Sequence, residues 1–141
     1  MVFLNQIDDE IVHLIAKEGN VVVVATIDAL GMPNISPRYV MAVLGDKIVF
    51  ADAYRNKTFT NIRRWPKVTA AVVDRVNRGG FQLKGDAEEV TDPELISECT
   101  KKLKELKFDS GPVSVWALIV KEIYSIKPSE SSKLPLFSVY S

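Results

Sequence analysis

Between Arg38 and Lys67 the chain collects the groups that could hold an anion. Arg55, Lys57, Arg63, Arg64 and Lys67 surround one short helical segment in "ADAYRNKTFTNIRRWPKVTAAVVD", and Arg38 lies upstream in "NISPRY". A phosphate monoester is held best where free backbone N–H groups and fixed cations converge, and the first turn of a helix supplies the N–H groups. Asn56, Lys57 and Thr58 fall at that turn. Asn56 is a natural N-cap, Lys57 can give a charge-assisted hydrogen bond, and Thr58 adds a hydroxyl. A first-turn cation opposes the helix dipole unless an anion is present, so Lys57 points to a ligand more strongly than its neighbours do. Arg63, Arg64 and Lys67 sit near the helix C-terminus, where the dipole alone accounts for them. If the strands on either side of Gly45 pair as a hairpin, Arg38 and the nearby Ser36 come to lie beside the same helix start.

Other chemistries find less support. No G-x-x-x-x-G-K-[ST] run occurs, and Gly79 and Gly80 in "NRGG" read as a conformational turn without a following lysine. His13 is the one histidine and falls at the edge of a helix, where a surface role outweighs metal or acid–base chemistry. Cys99 lies on the apolar side of a helix and reads as a buried, inert thiol. Asp8, Asp9 and Glu10 form an acidic first turn and lack the spacing of a calcium loop. Tyr39 and Tyr54 flank the proposed cleft, although strand aromatics more often pack than bind. No catalytic acid or base and no metal site is expected.

The elements that must position these residues follow from the hydrophobic pattern. Ile7, Ile11, Leu14 and Ile15 have helical spacing, giving a helix from about Asp8 to Glu18 that stops at Gly19. "VVVVATI" and "NISPRYV" form two strands about a turn at Leu30–Pro33, and "VMAVLGDKIVFADA" forms two more about Gly45 and Asp46. The cationic helix runs from Asn56 to the stop at Pro66, with Phe59 and Ile62 as its apolar stripe. "KVTAAVVD", the turn "RVNRGG" and the alternating "FQLKGDAEEV" continue the sheet. Asp92 and Pro93 open a third helix with Leu95, Ile96, Cys99, Leu103 and Leu106 inward, and "GPVSVWALIVKEIYSIKP" is the last long strand. The tail 128–141 carries Leu134, Leu136, Phe137 and Tyr140 and is expected to dock on a surface, that of a partner subunit being one choice. About seven strands joined by short connections favour an antiparallel barrel or sheet over a doubly wound fold.

At 141 residues the chain has the length of a single domain, and its 18 basic residues balance 18 acidic ones. No global field attracts nucleic acid or an acidic membrane. Arg55, Arg63, Arg64, Lys67 and Arg75 could line one face, but no reader motif accompanies them. The one cysteine excludes an internal disulfide, and no apolar run approaches the length of a membrane span. A signal peptide is not expected, and a cytoplasmic protein is the default.

The same residues carry a family likeness. "ISPRYVMAV", "KIVFADAYRNKTFTNIRRWPKVTAAVVD" and "FQLKGDAEEV" resemble the pyridoxamine-phosphate-oxidase-like flavoproteins, the FMN-binding split-barrel family, over roughly residues 8 to 125. The resemblance implies a mainly β fold with peripheral helices, an antiparallel six-stranded split β-barrel, assembled as a homodimer with flavin mononucleotide (FMN) near the subunit interface. It implies that Arg38, Lys57 and Thr58 hold the FMN phosphate, with Asn56 at the helix start. Ser36 and Pro37, and Ala51, Asp52 and Ala53, would approach the ring largely through backbone groups. Trp116 is the aromatic expected to reach the flavin of the other subunit.

The chain is more similar to the small FMN-binding members than to the vitamin B6 oxidase, because "KPSESSKLPLFSVYS" lacks the C-terminal Arg-x-His of the oxidase. An electron- or hydride-transferring flavoprotein follows, with a nicotinamide or protein donor. Other branches of the family bind haem or a deazaflavin, so a haem-handling protein is one alternative. A dimer that uses FMN as a sensor is another.

Overall fold

The computed structural model describes residues 7–108, 111–112 and 114–140. In chain order the elements are α1 (Asp9–Lys17), β1 (Val21–Ile27), β2 (Pro33–Leu44), β3 (Lys47–Asp52), α2 (Lys57–Arg64), β4 (Lys67–Asp74), β5 (Gly79–Glu89), α3 (Pro93–Glu105), β6 (Ser114–Ser125) and β7 (Phe137–Ser138), with a short 3-10 turn at Glu130–Lys133. All pairings are antiparallel, in the order β3-β2-β1-β4-β5-β6-β7, and β3 also pairs with β6. That last pairing closes six strands into a barrel, as expected, and leaves β7 as an added strand. The edge of β6 is shared: Ser114–Ile119 face β3, and Glu122–Ile123 face β7 where β3 has ended. The strand expected from Gly111 begins at Ser114, with Val113 outside the described residues.

Local chemistry sets the boundaries. Asn56 caps α2 by accepting from Phe59 N–H, and Asp92 caps α3 by accepting from Glu94 N–H with Pro93 at the first helical position. Gly45 takes φ +64 in the β2–β3 hairpin. Gly79 and Gly80, expected in the turn, instead open β5 opposite Asp74 and Val73; Gly80 takes φ +134, and a Cβ there would overlap the Val72 carbonyl oxygen, so this close approach of β4 requires glycine. The barrel core gathers α1 (Ile11, Ile15), β1 (Val22, Val24), β3 (Ile48, Phe50), β4 (Val72), β5 (Leu83) and β6 (Leu118, Val120). A second cluster places Cys99 and Leu103 of α3 on Met41, Val49, Val115 and Ala117.

Three details differ from the sequence pattern. Leu106, expected inward, is 40% exposed because α3 has ended at Glu105 and the chain is turning away. The buried residues of α2 are Thr58 and Asn61, while Phe59 and Ile62 are half-buried. Asn61 Nδ2 donates to Thr26 Oγ1 at 3.0 Å inside the protein, so a polar contact anchors this helix. The tail docks on its own barrel. Leu136 N–H donates to Ile123 C=O and Val139 N–H to Lys121 C=O, leaving Leu134, Leu136 and Tyr140 exposed.

Candidate functional site

Strand pairing brings Arg38 to Asp52. Val40 lies opposite Phe50 across the β2–β3 ladder, and two residues further along each strand, on the side away from the bulge between Val40 and Ala42, Arg38 and Asp52 come together. Arg38 Nε donates to Asp52 Oδ1 at 2.7 Å, and Arg38 Nη1 donates to Ser36 Oγ at 2.5 Å and to the Pro37 carbonyl at 2.8 Å. Trp116 Nε1 donates to Asp52 Oδ2 at 3.2 Å. Both carboxylate oxygens are therefore engaged, with the Asp52 side chain 1% exposed and that of Arg38 11%. One group is left over: Nη2 of Arg38 is buried without a hydrogen-bond partner among the described residues. A guanidinium N–H in that position favours an acceptor oxygen, since an unmet buried donor bears the full cost of its lost hydration.

Beside this network lies a hollow of about 320 Å³. Its walls include Pro37, Arg38, Ala51, Asp52, Ala53 and Asn56, six of the ten residues expected to hold a cofactor. Ser36 reaches it indirectly, through Arg38. The remaining surface is apolar, with Tyr39 and Met41 from β2, Tyr54 after β3, and Leu103 and Phe108 from α3 and the segment that follows. Tyr54 and Phe108 meet edge to face, their centroids 6.4 Å apart. An apolar slot with a few convergent polar groups is the ordinary form of a small-molecule site.

Three expected residues stand apart from the walls. Lys57 leans to Asp28, 3.2 Å from Oδ2, with its side chain 61% exposed. N–H groups of Met32 and Leu30 together with Lys57 hold the Asp28 carboxyl below its ordinary range. Thr58 is buried, and its Oγ1 accepts from Asn34 Nδ2 at 3.3 Å. Trp116 is 3% exposed and stacks on Phe50 with centroids 4.6 Å apart. Its ring is used by the barrel core, and its indole N–H orients Asp52. Little of the ring is open to the surface, and what is open borders a hollow beneath α2.

The other cations of the α2 region have local partners. Arg55 and Arg63 lie over the Phe59 ring at 5.9 and 4.8 Å. Arg64 Nη2 donates to Ile27 C=O, and Lys67 pairs with Asp86. Cys99 is buried, which pushes its thiol pKa upward, and His13 is exposed. Among the described residues no cluster of three or more metal-ligating side chains occurs, and no helix is long and apolar enough to cross a membrane.

Sequence reasoning overlooked the side-chain role of Asp52. The visible signal is a lone carboxylate closing the apolar run "IVFAD", which marks a buried acid in need of a cation. The contribution of α3 to the hollow had no such signal, since Leu103 and Phe108 look like ordinary core residues.

The pyridoxamine 5'-phosphate oxidase family model matches residues 7–127. This chain belongs to that family. An uncharacterized protein of Methanocaldococcus jannaschii is 30% identical over 113 residues, 78% of this chain and 75% of that protein. Among solved structures, HupZ of Group A Streptococcus is 27% identical with a TM-score of 0.74, covering 88% of this chain and 97% of that one. Two more share the fold. A heme binding protein from Mycobacterium smegmatis has a TM-score of 0.65 at 23% identity, covering 83% of this chain and 52% of that one. A pyridoxamine 5'-phosphate oxidase-related, FMN binding protein from Nostoc punctiforme has a TM-score of 0.63 at 15% identity, covering 84% and 82%. Chains of this fold thus include one named for flavin and one named for heme.

Proposed function

We propose that this protein is an FMN-binding flavoprotein that passes electrons or hydride between a reduced nicotinamide or protein donor and a small or protein acceptor. The observation that carries the reading is the buried Nη2 of Arg38, unpartnered among the described residues, in a side chain that lines an apolar hollow also bordered by Asn56 at the start of α2. The residues fit the group. Arg38 Nη2, the first-turn N–H groups after Asn56 and a Lys57 released from Asp28 would hold the phosphate. Pro37 and the backbone of Ala51–Ala53 would line the ring edge, with Tyr39 and Tyr54 against its faces.

When bound, FMN supplies the redox chemistry. The chain orients it and tunes it. The Trp116–Asp52–Arg38 series fixes the guanidinium, because each member is held by the next. The Asp52 carboxylate neutralises most of the Arg38 charge, so net attraction for a phosphate rests on Lys57 and the helix start.

A second copy of the chain would complete the site. Val23 of β1, Ile35, Pro37 and Tyr39 of β2, and Val73 of β4 share one outer face of the barrel by register, and all are exposed. Val21, Pro37 and Tyr39 of this face also line the hollow. An apolar patch continuous with a ligand site suits a homodimer that closes over the ligand.

Lys57→Ala tests the phosphate hold, because this exposed side chain can be removed without disturbing the core. FMN affinity should fall about tenfold or more, the loss of one charge-assisted hydrogen bond. Unchanged affinity would reject the assignment. The absorbance of the purified protein separates flavin from haem: a Soret band in place of the flavin bands would favour the haem reading.

A further inference from the structure

Asp52 and Trp116 also border a second hollow, of about 270 Å³. It lies beneath α2, and the proposed flavin site does not use it. Phe59 and Ile62 of α2 and Ala87 of β5 give it an apolar body. Arg63 and Glu89 stand at its rim, 60% and 66% exposed, with Arg63 Nη2 3.7 Å from Glu89 Oε1. At that separation the two attract without a direct hydrogen bond, so each keeps its bonding capacity. Ser114, another lining residue, has a buried Oγ with no hydrogen-bond partner among the described residues.

Charge decides the ligand class. The negative charge of Asp52 is already answered by Arg38, which leaves one cation and one anion at the rim and a neutral site. A ligand with a single net charge would satisfy one rim group and face the like charge of the other. A zwitterion satisfies both, its carboxylate toward Arg63 and its ammonium toward Glu89. The volume, just below the usual small-molecule range of about 300–1,000 Å³, suits one compact molecule. We propose that this hollow binds a free α-amino acid with an apolar side chain, the side chain entering between Phe59, Ile62 and Ala87. The inference is independent of which cofactor the first hollow holds.

Trp116 borders the site and reports on it. In a Trp65→Phe background it is the one remaining indole. Titration with L-phenylalanine and L-leucine should change its emission saturably, while 3-phenylpropionate and phenethylamine, which each lack one charge, should bind at least fivefold more weakly. Arg63→Gln and Glu89→Gln should each weaken L-phenylalanine about fivefold, a modest effect in keeping with exposed charges. Ala87→Leu should fill the hollow and remove binding. The two charge variants alter exposed side chains, so they remain decisive even if Ala87→Leu misfolds. No saturable response to either amino acid, equal binding of a singly charged analogue, or unchanged midpoints in both charge variants would overturn the proposal.

Discussion

Replacing Arg38 with methionine tests whether the Arg38–Asp52 pair is a structural unit as well as part of a ligand site. The carboxylate is 1% exposed and the guanidinium 11%, joined at 2.7 Å. Removing the cation strands a buried anion that keeps one neutral donor, Trp116 Nε1 at 3.2 Å. Breaking a buried pair from one side costs about 3–5 kcal/mol, a large share of the roughly 5–15 kcal/mol that holds a domain folded. Asp52→Asn should cost less, about 1–3 kcal/mol, because Arg38 keeps Ser36 and Pro37 as acceptors and lies beside an open hollow. The double variant strands no charge, and the amide oxygen that replaces the carboxylate still accepts from Trp116, so it should be more stable than Arg38→Met alone. The coupling energy should be about 2 kcal/mol or more. Urea denaturation of the four proteins measures this cycle, with unchanged m-values expected. A loss below about 1 kcal/mol in Arg38→Met, or single costs that simply add, would refute the reasoning. The same energetics make an Arg38 variant a poor reporter of ligand affinity, which is why Lys57 is the cleaner probe.

Two further outcomes follow from the barrel. Gly85→Ala should cost about 3 kcal/mol or more, or prevent folding, because a Cβ at the β5 bulge would overlap the Ile119 carbonyl oxygen; thermal unfolding checks it, and a near-normal Tm contradicts it. Asp86 is partly buried, which raises its pKa, but hydrogen bonds from Lys121 and Lys67 outweigh that and lower it overall. A depressed carboxylate stabilises the fold above its unfolded value of about 4 and loses that contribution as pH falls through the lower folded value. Asp86→Asn should flatten this acid limb, seen as urea midpoints that depend less on pH below about 4; an identical slope in both proteins would count against the triad. At the alkaline end Asp86 raises the Lys121 pKa, so that side of the pairing persists below the usual lysine value of about 10.4 and fades as pH climbs through the raised one.

The sequence by itself determined the elements and their order. Apolar periodicity, the caps at Asn56 and Asp92 and the Gly45 hairpin are local signals, each decided within a few residues, and the structure follows them closely. Local rules also placed Arg38 and the α2 start as candidates, because an N-cap and a first-turn lysine are visible in the letters themselves. What the tertiary structure decided is who faces whom. Asp52 meets Arg38 and Trp116 only because β3 pairs with β2 on one edge and β6 on the other, and no spacing in the chain encodes a contact 64 residues apart. The inward turn of Asn61, the apolar wall from Leu103 and Phe108, and the second hollow between Arg63 and Glu89 arise in the same way. Helix and strand propensities act over a turn or two, whereas barrel closure is a many-strand agreement in which burial, not neighbouring sequence, selects the partner of each charge.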